Sequence, residues 1–216
     1  MVNPSLTLIA VLALALPTGT PEARPTVPSM SPGAVTILFF GDSITAGYGL
    51  DPEDAFPAVI QARADSLGYK VDAINAGVSG ETSAGGLRRV DWILQRPFDI
   101  FVLELGGNDG LRGIDPAHTR DNLHQIIQKI KTNRPDAAIV LAGMEAPPNM
   151  GDGYTREFRQ IFQDLADSNR VAFLPFILEN VAGNPDLNLP DGIHPTAEGH
   201  RIIAQNLWEV LHPLIR

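Results

Sequence analysis

The chain has no cysteine among its 216 residues. That excludes disulfides, thiolate metal sites, a cysteine nucleophile and attachment through a lipidated cysteine; it leaves the compartment open. Basic side chains are also scarce, with 16 Lys plus Arg against 25 Asp plus Glu and a formal net charge of -9. Tracking a phosphate backbone needs clustered Lys and Arg, so no nucleic-acid partner is expected, and small or neutral substrates fit better. Long apolar runs are missing as well. The one block near the start, Leu6 to Leu16, is too short for a membrane span, so no stable membrane insertion is expected once it is removed.

Familiar motifs are absent too. No HExxH or paired-histidine spacing occurs, and His118 and His124, six apart, do not share a helix face. The GxSxG nucleophile elbow fails, because Gly77, Val78, Ser79 and Gly80 are followed by Glu81. Neither GxxxxGK(S/T) nor GxGxxG follows a strand, which argues against a nucleotide cradle. No repeat or low-complexity tract appears after Gly33.

What is present is a globular composition, 44% hydrophobic with a mean hydropathy of +0.02, and a length that suits one domain. Residues 1–33 differ from the rest. The apolar block is followed by Pro17 and a Pro-rich tract through Pro32, with small residues where a signal peptidase could cut. We read a removable export signal and leader, which makes the protein periplasmic or secreted. The alternative is a disordered cytoplasmic leader, since Arg24 is the first basic side chain. Residues 34–216 form the domain.

From Thr36 onward short β-rich runs alternate with longer helical patterns, the signature of βαβ units around a parallel sheet. Strands are predicted over Thr36–Phe40, Lys70–Asn75, Ile100–Glu104, Ala138–Ala142 and Val171–Leu174. Helices are predicted over Ala55–Leu67, Ser83–Leu94, Pro116–Lys131, Tyr154–Ser168 and Thr196–Leu211. Leu123, Ile126, Ile127 and Ile130 make one apolar stripe, and Asp115 before Pro116 is a helix cap.

In a parallel sheet the carboxyl ends of all strands share one edge, so the loops after them converge. Asp42 and Ser43 follow the first strand, Ala76 to Ser79 the second, and Gly106 to Asp109 the third; Asp191-Gly-Ile-His194-Pro precedes the last helix. Together they hold the parts of acyl transfer. Ser43 needs a base, which His194 can supply, while Asp191 can hold the other ring nitrogen. The amides of Ser43 and Gly77 and the Asn108 side chain can donate to an oxyanion, and Gly77, without a Cβ, would let a substrate oxygen approach closely. Singly each has a plainer reading as a turn, cap or packing residue. Their meeting at one sheet edge is what points to acyl transfer. Asp42, Asp109, Pro148 and Ile193 are further candidates for touching substrate, with 147–150 and 177–193 as the groove walls. Leu178, Val181, Leu187 and Leu189 give the second wall an apolar character, though such residues can equally be core.

The blocks "GDSITAGYG", "NAGVSGETSAGGL", "ELGGNDGLRG" and "DGIHPTAEGH", in this order, resemble those of the SGNH (GDSL-type) hydrolases over nearly the whole chain from Thr36. The likeness is greatest to the exported bacterial thioesterase, lysophospholipase and arylesterase branch. It implies a flavodoxin-like α/β/α sandwich on a five-stranded parallel sheet, with no metal and no cofactor. Position by position it implies Ser43 as nucleophile, Gly77 and Asn108 as oxyanion donors, and His194 as base with Asp191 as its partner. A monomer acting on a small-molecule acyl ester or thioester is expected. Two other readings remain: a metal-dependent phosphoesterase with Asp42, Asn108, Asp109, Asp191 and His194 as ligands, and a non-catalytic binding module on the same fold.

Overall fold

The computed structural model describes residues 33–215 together with Met1. The leader expected over residues 1–33 therefore lies, Met1 and Gly33 apart, outside the described residues. Five strands, β1 (Val35–Gly41), β2 (Val71–Asn75), β3 (Ile100–Glu104), β4 (Ala138–Ala142) and β5 (Ala172–Leu174), form one sheet in the order β2-β1-β3-β4-β5. Every pair is parallel. The central strands read as unbroken apolar runs because helices cover both of their faces, and β3 is buried at every position.

Helix α1 (Ser43–Ala46) follows β1 directly; then come α2 (Phe56–Ser66), α3 (Ser83–Ile93), α4 (Gly107–Leu111), α5 (Pro116–Asn133), α6 (Asp152–Asn169) and α7 (Ala197–Leu211). The five longer helices match those read from the sequence to within about two residues at most ends, the usual latitude of helix termini. The short α1 and α4 were not anticipated, since four and five residues carry no readable period. The step from β1 to β2 runs one way along the sheet and every later crossover runs the other way. Right-handed crossovers then put α2 on one face and α3, α5 and α6 on the opposite one. In keeping with this, α2 packs on α7, while α5 packs on both α3 and α6. The result is the flavodoxin-like three-layer sandwich.

The apolar stripe of α5 lies fully inside. Phe39 meets Phe56 of α2 edge-on at 5.6 Å on one face, and Phe40 meets Phe101 at 5.4 Å. Burying each such side chain contributes about 1.5–3 kcal/mol. The chain reverses between β1 and β3, and the crevice at their carboxyl ends is where open α/β sheets place ligands. Register pairs Gly41 with Glu104, so the first residues beyond both strands open into the same crevice.

Candidate active site

Ser43 is the first residue of α1, lifted straight off the end of β1. Asp42 caps this helix, its Oδ1 accepting the Ile44 N–H at 2.9 Å. From the far end of the chain the 191–194 turn folds back over it. Asp191 Oδ1 accepts the N–H groups of Ile193 and His194 at 2.9 and 3.0 Å. Its Oδ2 lies 2.7 Å from His194 Nδ1. The other ring nitrogen, Nε2, is 3.0 Å from Ser43 Oγ. A carboxylate on Nδ1 keeps the ring proton there, which leaves Nε2 to accept from the serine hydroxyl. The bonds from His194 and the two amides hold the Asp191 carboxyl down at about 2. The ring of Tyr48 covers one face of the imidazole, with centroids 4.4 Å apart and planes inclined by 36°.

Asn108, in α4, donates from Nδ2 to Asp42 Oδ2 at 3.1 Å. A primary amide has two N–H bonds, so one remains to point at the groove, which Asn108 lines next to Ser43. Asp42 thus grips α1 with one oxygen and the Asn108 amide with the other. It is 1% exposed, and burial pushes its carboxyl up to about 6 against the opposing pull of these bonds.

Gly77 departs from its expected place. Its N–H donates to Asn75 Oδ1 at 3.0 Å, and a Cβ here would fall 2.3 Å from the Ala46 nitrogen. The close approach that demands glycine is that of α1, not of a substrate oxygen. Gly77 does not line the groove, whereas Ser79 and Gly80 do. Asp109 also departs from expectation. It is fully buried and accepts from Ser83 N at 2.8 Å, Ser83 Oγ at 2.5 Å and Thr119 Oγ1 at 3.2 Å. It fastens α4 to the starts of α3 and α5 and does not reach the groove.

The groove itself has a volume of ≈ 900 Å³. Pro148 and the half-exposed Ile193 stand on its walls, and Asp42 also lines it. Leu111, Met144, Ala146 and Pro147 continue the first wall; Tyr48, Phe176, Leu178 and Ala182 continue the second. Val181, in contrast, is fully buried core, and Leu187 packs on that core. The loop after β2 is tied down by Arg89, which donates to Glu81 Oε2 at 2.6 Å, to Ala76 O at 2.9 Å and to Gly41 O at 3.2 Å. Sequence reasoning missed Tyr48, Gly80, Met144 and Phe176 as site residues. Tyr48 and Gly80 lie inside the quoted blocks, but nothing in their identity separates a groove residue from a turn residue.

The five side chains considered as metal ligands do not form one donor set: Asp109 faces Ser83 and Thr119, and Asp191 faces its own turn. Among the described residues no group of three or more His, Cys, Asp or Glu is placed to hold a metal ion. Among those residues, too, no helix is long and apolar enough to cross a membrane.

The parallel sheet gathers Ser43, His194 and Asp191 at its carboxyl edge beneath an apolar groove, and these are the residue types that acyl transfer uses. The chain belongs to the GDSL-like Lipase/Acylhydrolase family, whose profile matches residues 39–202. It is 40% identical over 184 residues to the esterase TesA of Pseudomonas aeruginosa, covering 84% of this chain and 90% of the relative. It is 38% identical over 183 residues to the thioesterase 1/protease 1/lysophospholipase L1 of Escherichia coli, covering 84% and 86%. Among solved structures, a crystal structure of TesA superposes with a TM-score of 0.79 at 39% identity, over 83% of this chain and 99% of that one. As a member of that family the chain is an enzyme of the lipase/acylhydrolase class, and the two relatives carry the names of an esterase and a thioesterase.

Proposed function

We propose that this enzyme works through an acyl intermediate on Ser43. The observation that carries the reading is the unbroken contact from Asp191 Oδ2 through His194 to Ser43 Oγ, at 2.7 and 3.0 Å. Ser43 Oγ attacks the substrate carbonyl carbon as its proton passes to His194 Nε2. The tetrahedral oxyanion collapses with cleavage of the C–O or C–S bond, and His194 returns the proton to the leaving alcohol or thiol. Water then attacks the acyl-serine by the same proton route and frees the acid.

The oxyanion donors are the Ser43 N–H at the start of α1, the free N–H of Asn108 Nδ2 and the N–H of Gly80. Gly80 takes the place first given to Gly77, because its amide has no acceptor among the described residues and it lines the groove. Removing one such donor elsewhere costs about 10²- to 10³-fold in rate. The apolar walls, with Pro148 and Ile193, favour small to medium acyl chains, and the names of the relatives support thiols, aryl alcohols and the glycerol hydroxyl of a lysophospholipid as leaving groups. The enzyme acts as a monomer after export directed by a signal within residues 1–33.

The test is an acyl panel of p-nitrophenyl esters and acyl-CoA thioesters, run beside Ser43→Ala. Turnover by the wild type alone supports the reading. Equal turnover by Ser43→Ala overturns it, and no turnover by either protein favours the binding module.

A further inference from the structure

The last residue of β3 is a carboxyl with no cation to face. Glu104 is fully buried, pairs in register with Gly41, and among the described residues forms no ion pair. Its Oε2 accepts two hydrogen bonds from the nucleophile turn, from Asp42 N–H at 3.2 Å and from Thr45 Oγ1 at 2.7 Å. Its Oε1 is buried without a partner. Gly41 makes room for this arrangement, since a Cβ there would stand 2.4 Å from Oε2 and 2.1 Å from Thr45 Oγ1. The two residues held by Oε2 flank Ser43 and Ile44, so the carboxyl grips both ends of the first turn of α1.

We propose that Glu104, in its uncharged form, is a positioning residue for the nucleophile, fixing Ser43 through the Asp42 amide and the Thr45 hydroxyl; this rests on the reading of Ser43 as nucleophile. A charged Glu104 would stand buried beside the Asp42 carboxylate, which already feels the charge of Asp109. Neither His194, which meets Asp191, nor the Arg89 guanidinium, which sits on the carbonyls of Gly41 and Ala76, bonds the Glu104 carboxyl. Burial first, and then the Asp42 charge, push the Glu104 carboxyl well above its usual range. With Oε2 accepting twice, the proton belongs on Oε1. The division of labour is then clear. Asp42 stays ionised at neutral pH to hold Asn108, and Glu104 stays neutral to hold Ser43 without opposing that charge.

The experiment pairs kinetics with infrared spectroscopy. Glu104→Gln keeps a neutral acceptor, and should turn over p-nitrophenyl butyrate within about threefold of wild type. Glu104→Leu loses both bonds to the turn, and should lower kcat by about 10- to 100-fold with KM within twofold; Thr45→Val, which removes one of the two donors, should fall between. At pH 8 the wild type should show the C=O stretch of a protonated carboxyl, sensitive to D2O, and Glu104→Gln should lack it. A Glu104→Gln loss as deep as that of Glu104→Leu, full turnover by Glu104→Leu, or no such band in the wild type would each overturn the proposal. Should Glu104→Leu not fold, Thr45→Val and the infrared band still decide. Ser43→Ala, run alongside, separates failure of this inference from failure of the nucleophile assignment, because its turnover does not depend on the charge of Glu104.

Discussion

Two aspartates stand on either side of Ser43, and the protein treats them in opposite ways. The Asp191 side chain, 39% exposed, accepts two amides and the imidazole, and its carboxyl is held down at about 2. Asp42 accepts one amide and the Asn108 side chain, yet burial raises it to about 6. Both are hydrogen-bonded, so the difference is solvation: a carboxylate that keeps water keeps its charge, and one sealed under α1 depends on its two bonds. Asp191 can therefore support His194 over the whole working range, while Asp42 supports Asn108 only above its own titration.

The sharpest way to break this comparison is to remove each carboxylate in turn. Asp191→Ala should lower kcat by about 10³- to 10⁴-fold, the scale of an unsupported catalytic histidine. A loss below tenfold would mean that the turn backbone alone orients the ring. Asn108→Ala should cost about 10²-fold, falling on kcat more than on KM; an unchanged kcat takes Asn108 out of the oxyanion hole. Asp42→Asn should cost about tenfold, because the amide still caps α1 but turns an N–H toward Asn108. In the wild type, kcat should decline as pH falls through about 6 and Asp42 gains its proton. An acid limb unchanged in Asp42→Asn would assign that decline to another group.

Stability carries the same opposition, with signs that follow from linkage. Between 3.8 and about 6 the folded protein holds a proton on Asp42 that the unfolded chain releases. Its contribution therefore falls as pH rises through that window. For Asp191 the unfolded chain binds the proton first, so its contribution is present above 3.8 and is lost as pH falls toward about 2. His200 works in the same acid-labile direction. Buried in α7, it accepts the Phe56 N–H on Nδ1 at 3.1 Å, and desolvation lowers its titration from 6.5 to about 4. Acidification from 6.5 to 4 should then cost on the order of 3 kcal/mol. His200→Asn, which offers an oxygen near the position of Nδ1, should be less stable at pH 8 and should lose that part of the acid sensitivity. Thermal melts across this range check it; an unchanged slope contradicts the assignment. Smallest of all, Tyr48→Phe should leave kcat within twofold, since the ring face and not the hydroxyl meets His194.

What was legible in the sequence follows from burial. Thr36–Phe40 and Ile100–Glu104 announced themselves as strands because both faces are covered, and the stripe of α5 because one is. Convergence of Ser43 and Asn108 on one edge followed from parallel topology, and Asp191 and His194 were added from their place just before the last helix. The finer assignments were not legible, for a common reason: after a strand, the same residue types serve turn, core and groove. Gly77 and Gly80 lie three apart in one loop, and only the Asn75 side chain decides which amide is engaged. Asp42 and Asp109 look alike in sequence, but one lines the groove and the other locks three helices together. Glu104 reads as the polar end of a strand until the register sets it against Gly41.

The central claim is that Ser43 carries the acyl group, and labelling with a fluorophosphonate followed by peptide mass mapping tests it most directly. One adduct is expected, on the peptide containing Ser43, absent from a Ser43→Ala protein that melts like the wild type. An adduct on another residue, or undiminished ester turnover by Ser43→Ala, would contradict it.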